Sequence, residues 1–246
     1  MSVGSRPPSA ESGWAYFLDV DGTLVPLAST PGAARVSQRA HSVVRNLHAW
    51  TNGAVALVSG RAIAELDRLF GNPGMPAAGQ HGAEFRSDST CVLVPPSEDN
   101  ALTFARTAFR EFVARHDGLL LEDKGLSLAV HYRLAPSLAS SVHRMVRAQL
   151  RSIGDHYHLL RGNRVIELRP AGTDKGKAIA AFMARDPFRG RIPVFIGDDT
   201  TDEDGFERVN LLGGHSIRVG AGRTAARFRL ADPAGVVSWL EGALPG

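Results

Sequence analysis

Three short apolar segments of the chain each end abruptly in polar side chains, and this repeated pattern constrains the fold most strongly. They cover residues 14–18, 54–58 and 192–196. A continuous apolar run of this length indicates a strand that is buried on both faces. Apolar residues at helical spacing follow the first two segments, which is typical of parallel βαβ units. We therefore predict an α/β protein built on a parallel sheet.

The polar residues that follow the three segments are candidates for a functional site. They are Asp19 and Asp21 after the first segment, Ser59 and Arg61 after the second, and Asp198, Asp199 and Asp202 after the third. In an open parallel sheet, ligands bind beyond the carboxyl ends of the strands. We therefore expect the three groups to converge, although long stretches of sequence separate them.

Asp19 and Asp21 form an unusual pair, because side chains two residues apart on a strand point the same way. Their carboxylates repel each other unless a divalent cation lies between them, or unless one attacks an electrophile while the other moves protons. The alternative is a loop with two solvated acids and Gly22 in a turn.

The other groups also have ordinary structural explanations when each is considered alone. Ser59 could cap a helix, Lys175 could be a solvated helix residue, and the acids at 198–204 could favour a helix N-terminus. Their joint occurrence at strand ends favours catalysis. An aspartate approaches a phosphate dianion only when charge is neutralised, as Mg²⁺, Lys175 and the Ser59 hydroxyl would do. The residues therefore favour phosphoryl transfer with Mg²⁺, which prefers oxygen ligands.

The composition argues against several other classes of protein. The 246 residues are 43% apolar and 22% charged, which is ordinary for a soluble globular protein. The net charge of +3 comes without a Lys/Arg block, so we expect no nucleic-acid partner. No apolar stretch approaches the ~20 residues that span a bilayer. The single Cys91 excludes an internal disulfide framework and is expected to pack as a small apolar residue.

Changes of pattern along the chain indicate the domain organisation. Residues 1–12 are rich in Ser, Gly and Pro without a signal-peptide core, which predicts a flexible tail and a cytoplasmic location. Pro95 and Pro96 mark a boundary, and beyond them alternating strands and two helices indicate a half-covered antiparallel sheet. We predict a Rossmann-like core of residues 13–95 and 171–246, and an inserted α+β cap over residues 96–170.

One face of the predicted cap sheet is too polar to be core. It carries Glu122, Lys124, Arg133, Glu167 and Arg169, and His131 shares the face of Arg133. An ordinary solvated sheet face is one interpretation. The other is a binding surface for a ligand dense in hydroxyl groups, since such a ligand both donates and accepts hydrogen bonds.

Four sequence motifs resemble those of the haloacid-dehalogenase-like (HAD) phosphatases. They are Asp19-Val20-Asp21-Gly22-Thr23-Leu24, Ser59, Lys175 and Gly197-Asp198-Asp199-x-x-Asp202. The resemblance implies that Asp19 is a nucleophile that forms an aspartyl-phosphate, and that Asp21 is the general acid/base. It implies that Ser59 and Lys175 hold phosphate. The residues implied to bind Mg²⁺ are Asp19, the backbone carbonyl of Asp21, Asp198, Asp199 and Asp202.

A narrower resemblance is to the trehalose-6-phosphate phosphatase family. It rests on Gly79-Gln80-His81-Gly82-Ala83-Glu84, residues 122–133, Glu167-Leu168-Arg169-Pro170 and residues 197–204. It implies hydrolysis of trehalose 6-phosphate, the last step of trehalose biosynthesis. The residues implied to contact the sugar are Glu122, Lys124, Arg133, Glu167 and Arg169, with Arg61 and His81 lining the pocket.

Two other functions stay open at this point. One is a phosphatase for another sugar phosphate, of the sucrose or mannosyl phosphate type, and the other is a non-catalytic sugar-phosphate sensor. A sensor would be expected to lack Asp19, Asp21, Lys175 or Asp198, and all four are present. We expect a monomer without a membrane partner, and association with a synthase is left open.

Overall fold

The structure is a computed structural model that describes residues 6–28, 31–71, 74–87, 100–162 and 164–245. The strands are β1 (Trp14–Leu18), β2 (Val55–Val58), β3 (Ala77–Gly79), β4 (Glu84–Arg86), β5 (Leu120–Asp123), β6 (Leu128–His131), β7 (Tyr157–Gly162), β8 (Val165–Pro170), β9 (Ile192–Gly197), β10 (His215–Val219) and β11 (Phe228–Leu230). The helices are α1 (Gln38–Trp50), α2 (Ile63–Phe70), α3 (Asn100–Ala114), α4 (Ala139–Ile153), α5 (Lys175–Met183), α6 (Glu203–Leu211) and α7 (Pro233–Glu241). The chain divides into two compact units, Met1–Leu93 with Asp174–Gly246, and Val94–Thr173.

The first unit is built on a sheet in the order β11-β10-β9-β1-β2-β3-β4. All neighbouring strands are parallel except β4, which runs antiparallel to β3. β1 is buried throughout, with Tyr16 and Leu18 in one hydrophobic cluster and Phe17 in the other. The sheet is therefore covered on both faces, and the predicted α/β fold with a parallel sheet is confirmed.

The strand register places the predicted polar groups at one edge of this sheet. Leu18, the last residue of β1, pairs with Leu57 of β2 and with Ile196 of β9. Because the three strands are parallel neighbours and end together, the residues that follow them emerge side by side.

The start of the chain differs from the sequence expectation. The Trp239 Nε1–H donates a hydrogen bond to the Pro8 carbonyl at 3.0 Å, and Ala10 is buried. The Tyr16 hydroxyl donates to the Glu11 carbonyl at 2.8 Å. Pro8, Ala10 and Glu11 therefore make contacts within the first unit that the composition of the segment did not indicate, and the flexibility of residues 1–12 stays a prediction. The Ser, Gly and Pro content of this segment does not indicate the hydrogen bond between Pro8 and Trp239, because the two residues are far apart in the sequence.

Two further differences concern short elements. The edge strand β11 was not predicted, because three residues are too few to show a period. Strand β4, which pairs with β3, ends at Arg86, and the predicted packing of Cys91 and the predicted boundary at Pro95 and Pro96 concern residues outside the described ones. Within the described part of the chain, no helix has the length and apolar character required to cross a bilayer.

The second unit contains an antiparallel sheet in the order β5-β6-β8-β7. One face of this sheet packs with α3 and α4 around a core that includes Phe109, Leu128, Val146 and Ile166. The opposite face is the polar one, since neighbouring residues on a strand point to opposite faces.

Candidate active site

A buried lysine joins the ends of two strands of the first unit. Lys175 is the first residue of α5, which begins at the N-cap Asp174. Its Nζ donates to Asp19 Oδ1 at 2.7 Å and to Asp202 Oδ1 at 2.6 Å. Asp19 follows β1, whereas Asp202 belongs to the turn after β9. The predicted convergence of distant groups is thus confirmed for the first and third segments.

The electrostatics of this cluster are dominated by burial and by crowded carboxylates. Burial raises the pKa of Asp19 well above its usual range, and the carboxylates of Asp202 and Asp198 add to the rise, while Lys175 opposes it. Burial disfavours the charged form of Lys175, but Asp19 and Asp202 more than compensate and raise its pKa. Burial and the carboxylates of Asp202 and Asp199 raise the pKa of Asp198 to about 6. The site therefore holds more negative charge than Lys175 balances.

The arrangement of oxygens fits a hard divalent cation. Carboxylate oxygens of Asp19, Asp198 and Asp202 lie within 4.8 Å of one another. Gly22 has a φ of +80°, and a Cβ at this position would lie 2.1 Å from Asp198 Oδ2. Only glycine leaves room for the carboxylate of Asp198 here. An all-oxygen donor set with excess negative charge is what Mg²⁺ prefers.

Asp202 and Asp199 have structural partners in this cluster. The Asp202 Oδ2 accepts hydrogen bonds from the backbone N–H groups of Asp198 and Asp199, both at 2.9 Å. Asp199 Oδ1 accepts from the backbone N–H of Thr200 at 2.6 Å. Both carboxylates therefore hold the turn after β9 in shape, and Asp202 also holds Lys175.

The second strand end contributes a guanidinium group that binds Asp21. Arg61 Nε donates to Asp21 Oδ2 at 2.6 Å and Arg61 Nη2 donates to Asp21 Oδ1 at 2.7 Å. The Arg61 side chain is 9% exposed and that of Asp21 is 32% exposed. Ser59 is buried, and its hydroxyl oxygen accepts from the Arg61 backbone N–H at 3.2 Å. All three predicted groups therefore meet at this edge of the sheet.

A strained loop supports the segment of Ser59 and Arg61. Gln80 and His81 have φ values of +47° and +57°, which non-glycine residues rarely adopt. The Gln80 N–H donates to the Arg61 carbonyl at 2.9 Å and the His81 N–H donates to the Ser59 carbonyl at 3.0 Å. His81 Nε2 lies only 2.7 Å from the position that a Cβ on Gly60 would occupy. His81 therefore packs directly on the predicted phosphate-binding segment.

Glu84 fixes this loop from its other end and was not predicted as a functional residue. Glu84 Oε1 accepts from Gln80 Nε2 at 2.5 Å, and Glu84 Oε2 accepts from the Ile63 N–H at 2.6 Å. The run of residues 79–84 shows neither a helical nor a strand period, so hydrophobic periodicity does not indicate these contacts.

In the second unit, hydrogen bonds join several residues of the polar sheet face. Cross-strand pairing aligns Glu122 with Ala129 and Ala129 with Glu167. Glu167 Oε1 accepts from the Ser127 hydroxyl at 2.6 Å and from Lys124 Nζ at 3.3 Å. The structure thus brings together two of the predicted sugar contacts, and adds Ser127, which was not predicted as a site residue.

The rest of this face carries histidines and arginines. His131 Nε2 lies 2.8 Å from Glu122 Oε2. Arg169 Nε donates to His158 Nε2 at 2.7 Å, and His158 was not predicted as a functional residue. Arg133 follows the end of β6 and is exposed.

These features define the class of protein. An aspartate after the central strand of a parallel α/β sheet, facing a buried lysine and acids from a neighbouring strand, is the arrangement of HAD-like phosphatases. The sequence model of the family described as trehalose-phosphatase matches residues 17–234. The chain belongs to the trehalose-phosphatase family, and the resemblance inferred from its motifs is confirmed.

Individual relatives agree with this assignment. The chain is 39% identical over 237 residues to the trehalose-6-phosphate phosphatase of Escherichia coli K12, covering 96% of this chain and 89% of the relative. It is 41% identical over 207 residues to a Sinorhizobium fredii protein named "Probable trehalose-phosphate phosphatase", covering 84% and 78%. A solved structure described as "trehalose-6-phosphate phosphatase related protein" has a TM-score of 0.77 and 28% identity, covering 93% of this chain and 96% of that one.

Proposed function

We propose that this protein hydrolyses trehalose 6-phosphate to trehalose and inorganic phosphate. The observation that carries the proposal is the buried cluster of Asp19, Lys175 and Asp202 at the sheet edge, in a chain that matches the family model over residues 17–234. Its relatives bear the names of phosphatases for this ester. This reaction would be the last step of trehalose biosynthesis.

The reaction would take place in two displacements. A carboxylate oxygen of Asp19 attacks phosphorus while the bond from phosphorus to the sugar oxygen breaks, and Asp21 gives that oxygen a proton. Asp21 then takes a proton from water, whose oxygen attacks the aspartyl-phosphate and releases phosphate and the Asp19 carboxylate. Lys175 and the Ser59 hydroxyl hold the phosphoryl oxygens.

Magnesium is the metal that we propose for the site. The residues that would hold it are Asp19, the backbone carbonyl of Asp21 and Asp198, with Asp199 and Asp202 assisting. When bound, Mg²⁺ supplies the charge neutralisation that lets a carboxylate approach a phosphate dianion. The support for this proposal is the group of carboxylate oxygens within 4.8 Å and the raised pKa of Asp198, about 6.

We propose that the second unit is a cap domain that selects the sugar. Its polar sheet face offers both hydrogen-bond acceptors and donors, as a ligand rich in hydroxyl groups requires. The proposed sugar contacts are Glu122, Lys124, Arg133, Glu167 and Arg169. From the first unit, His81 is proposed as a further contact of the substrate. The monomeric state, the cytoplasmic location and any association with a synthase stay predictions.

Phosphate release tests the substrate and the metal together. With Mg²⁺, we expect trehalose 6-phosphate to be hydrolysed with a higher kcat/KM than sucrose 6-phosphate, a mannosyl phosphate or glucose 6-phosphate. An excess of chelator is expected to abolish turnover, and added Mg²⁺ to restore it. A higher kcat/KM for another ester would show that the proposed substrate is wrong. Full activity in excess chelator would refute the metal requirement.

Metal binding can also be measured apart from activity. Asp198, whose pKa is about 6, is mostly protonated at pH 5, so a proton competes with the cation there. We therefore expect Mg²⁺ to raise the unfolding temperature more at pH 7.5 than at pH 5. An equal rise at both pH values would contradict a site that includes Asp198.

Replacing Glu167 by glutamine is expected to raise KM for trehalose 6-phosphate about tenfold or more, since a hydrogen bond with a charged partner contributes roughly 1.5–3 kcal/mol. The catalytic groups of the first unit stay intact, so kcat/KM for p-nitrophenyl phosphate should hardly change. Glu111→Gln is the matched control in the same unit, because Glu111 is exposed and pairs with Arg115 at 3.4 Å. Equal losses on both esters would indicate damage to the fold and not to sugar binding.

A further inference from the structure

We propose that Arg61 is a positioning residue that aims the Asp21 carboxylate for proton transfer, and that its main role is not to bind the substrate. The inference rests on the proposed function, since it assigns Arg61 to the general acid/base step. Its basis is the two-point contact in which Nε and Nη2 of Arg61 donate to the two carboxylate oxygens of Asp21, at 2.6 and 2.7 Å.

Both the backbone and the side chain of Arg61 are held in place. The Arg61 backbone N–H donates to the Ser59 hydroxyl oxygen at 3.2 Å, and the Arg61 carbonyl accepts from the Gln80 N–H at 2.9 Å. Its side chain is 9% exposed, and Nη1 lies 3.7 Å from Glu65 Oε2 at the start of α2. Arg61 is therefore a rigid support, held by the same loop that carries the left-handed residues Gln80 and His81.

The carboxylate of Asp21 needs such a support. Asp21 lies beyond the end of β1 and its side chain is 32% exposed. In the described part of the chain, the hydrogen bonds that the Asp21 carboxylate accepts from side chains come from Arg61. A proton donor must lie within hydrogen-bond reach of the oxygen that it protonates, and a displacement of about 1 Å costs roughly 10²-fold in rate.

Two-point binding leaves the carboxylate able to react. A carboxylate has about four lone-pair positions, of which the fork of Arg61 occupies two. One of the remaining positions can face the sugar oxygen in the first displacement and water in the second. A lysine at position 61 keeps the positive charge but offers a single ammonium point, so it cannot set the plane of the carboxylate.

The loss of kcat/KM caused by Arg61→Lys is therefore expected to depend on whether the leaving group of the ester must be protonated. For an alkyl ester such as trehalose 6-phosphate, we expect kcat/KM to fall roughly 10²-fold, because the departing alkoxide must be protonated. For p-nitrophenyl phosphate we expect a fall of less than about threefold, since p-nitrophenolate leaves without a proton. The ratio kcat/KM covers only the steps up to alcohol release, so hydrolysis of the phosphoenzyme does not obscure the comparison.

A second readout follows from the second displacement. With p-nitrophenyl phosphate, a misaligned Asp21 slows water attack on the aspartyl-phosphate, so Arg61→Lys is expected to show a burst of p-nitrophenolate close to one per enzyme. Adding Arg61→Lys to Asp21→Asn should lower kcat/KM for the alkyl ester by less than about twofold, because groups that act as a unit are not additive.

Arg86→Lys is the matched control. Arg86 makes a similar two-point contact with Asp67, at 2.6 and 2.8 Å, in the same unit, and neither residue has a place in the proposed mechanism. We expect this variant to lower the unfolding temperature without a difference between the two esters.

Three results would overturn the inference. They are an equal loss of kcat/KM on both esters with Arg61→Lys, a rise in KM alone, and a full additional loss in the Asp21→Asn background. Each would assign Arg61 to substrate binding or to folding. Failure of the wild-type enzyme on trehalose 6-phosphate would contradict the proposed substrate alone, since glucose 6-phosphate provides the same comparison of alkyl and aryl esters.

Discussion

Asp19→Asn is expected to reduce turnover by at least about 10⁴-fold, because an amide cannot attack phosphorus and form the covalent intermediate. The fold should survive. Asparagine has nearly the shape of aspartate, and Lys175 keeps its contact with Asp202 at 2.6 Å. The measurements are phosphate release, trapping of labelled phosphoenzyme and thermal unfolding.

Asp67→Asn is the control for this variant. It removes a carboxylate from an ion pair with Arg86 in the same unit, away from the strand-end cluster, so its turnover should stay near that of the wild type. Retention of substantial activity by Asp19→Asn, with an unchanged unfolding temperature, would show that another residue is the nucleophile.

Lys175→Met is expected to damage both folding and catalysis. Methionine keeps most of the aliphatic volume but leaves Asp19 and Asp202 buried without their counter-charge. Removing one partner of a buried ion pair costs about 3–5 kcal/mol. For a chain of this size that corresponds to a fall of roughly 6–20 °C in the unfolding temperature. Turnover should fall by roughly 10³-fold, since a cation aimed at the phosphoryl group is lost.

The destabilisation by Lys175→Met should depend on pH in a defined direction. A carboxyl group whose pKa is raised in the folded state stabilises folding least at pH values above that pKa, where it must be ionised while buried. Without Lys175, the pKa of Asp19 rises further, so the loss of stability should be smaller at pH 5 than at pH 7.5. An equal loss at both pH values would contradict the ion pair as its cause.

Lys177→Met is the matched control for Lys175→Met. Lys177 lies on the same helix, its side chain is 57% exposed, and its ion pair with Asp174 is 3.3 Å long. Exposed pairs contribute at most about 1 kcal/mol, so we expect little change in stability and none in turnover. A comparable collapse in both variants would attribute the effect to the helix and not to the buried charge.

Much of the fold and of the site follows from local sequence. The apolar runs before Asp19, Ser59 and Asp198 predict buried parallel strands, because only strands covered on both faces are apolar without alternation. Parallel strands that end together bring the residues after them to one edge, so the convergence could be predicted without coordinates. The alternation around residues 126–133 likewise predicts a sheet with one polar face.

The tertiary structure decided which of these residues touch. The sequence by itself predicted that the groups of Asp21, Arg61 and Asp202 meet at one edge, but their pairing with one another and with Lys175 depends on side-chain directions set by distant strands and helices. The pairs Arg61–Asp21 and Lys175–Asp202, the left-handed backbone at His81 and the anchoring of Pro8 by Trp239 all lack a local signal. Periodicity reports the face on which a residue lies, whereas contacts between residues far apart in sequence arise only when the chain has folded.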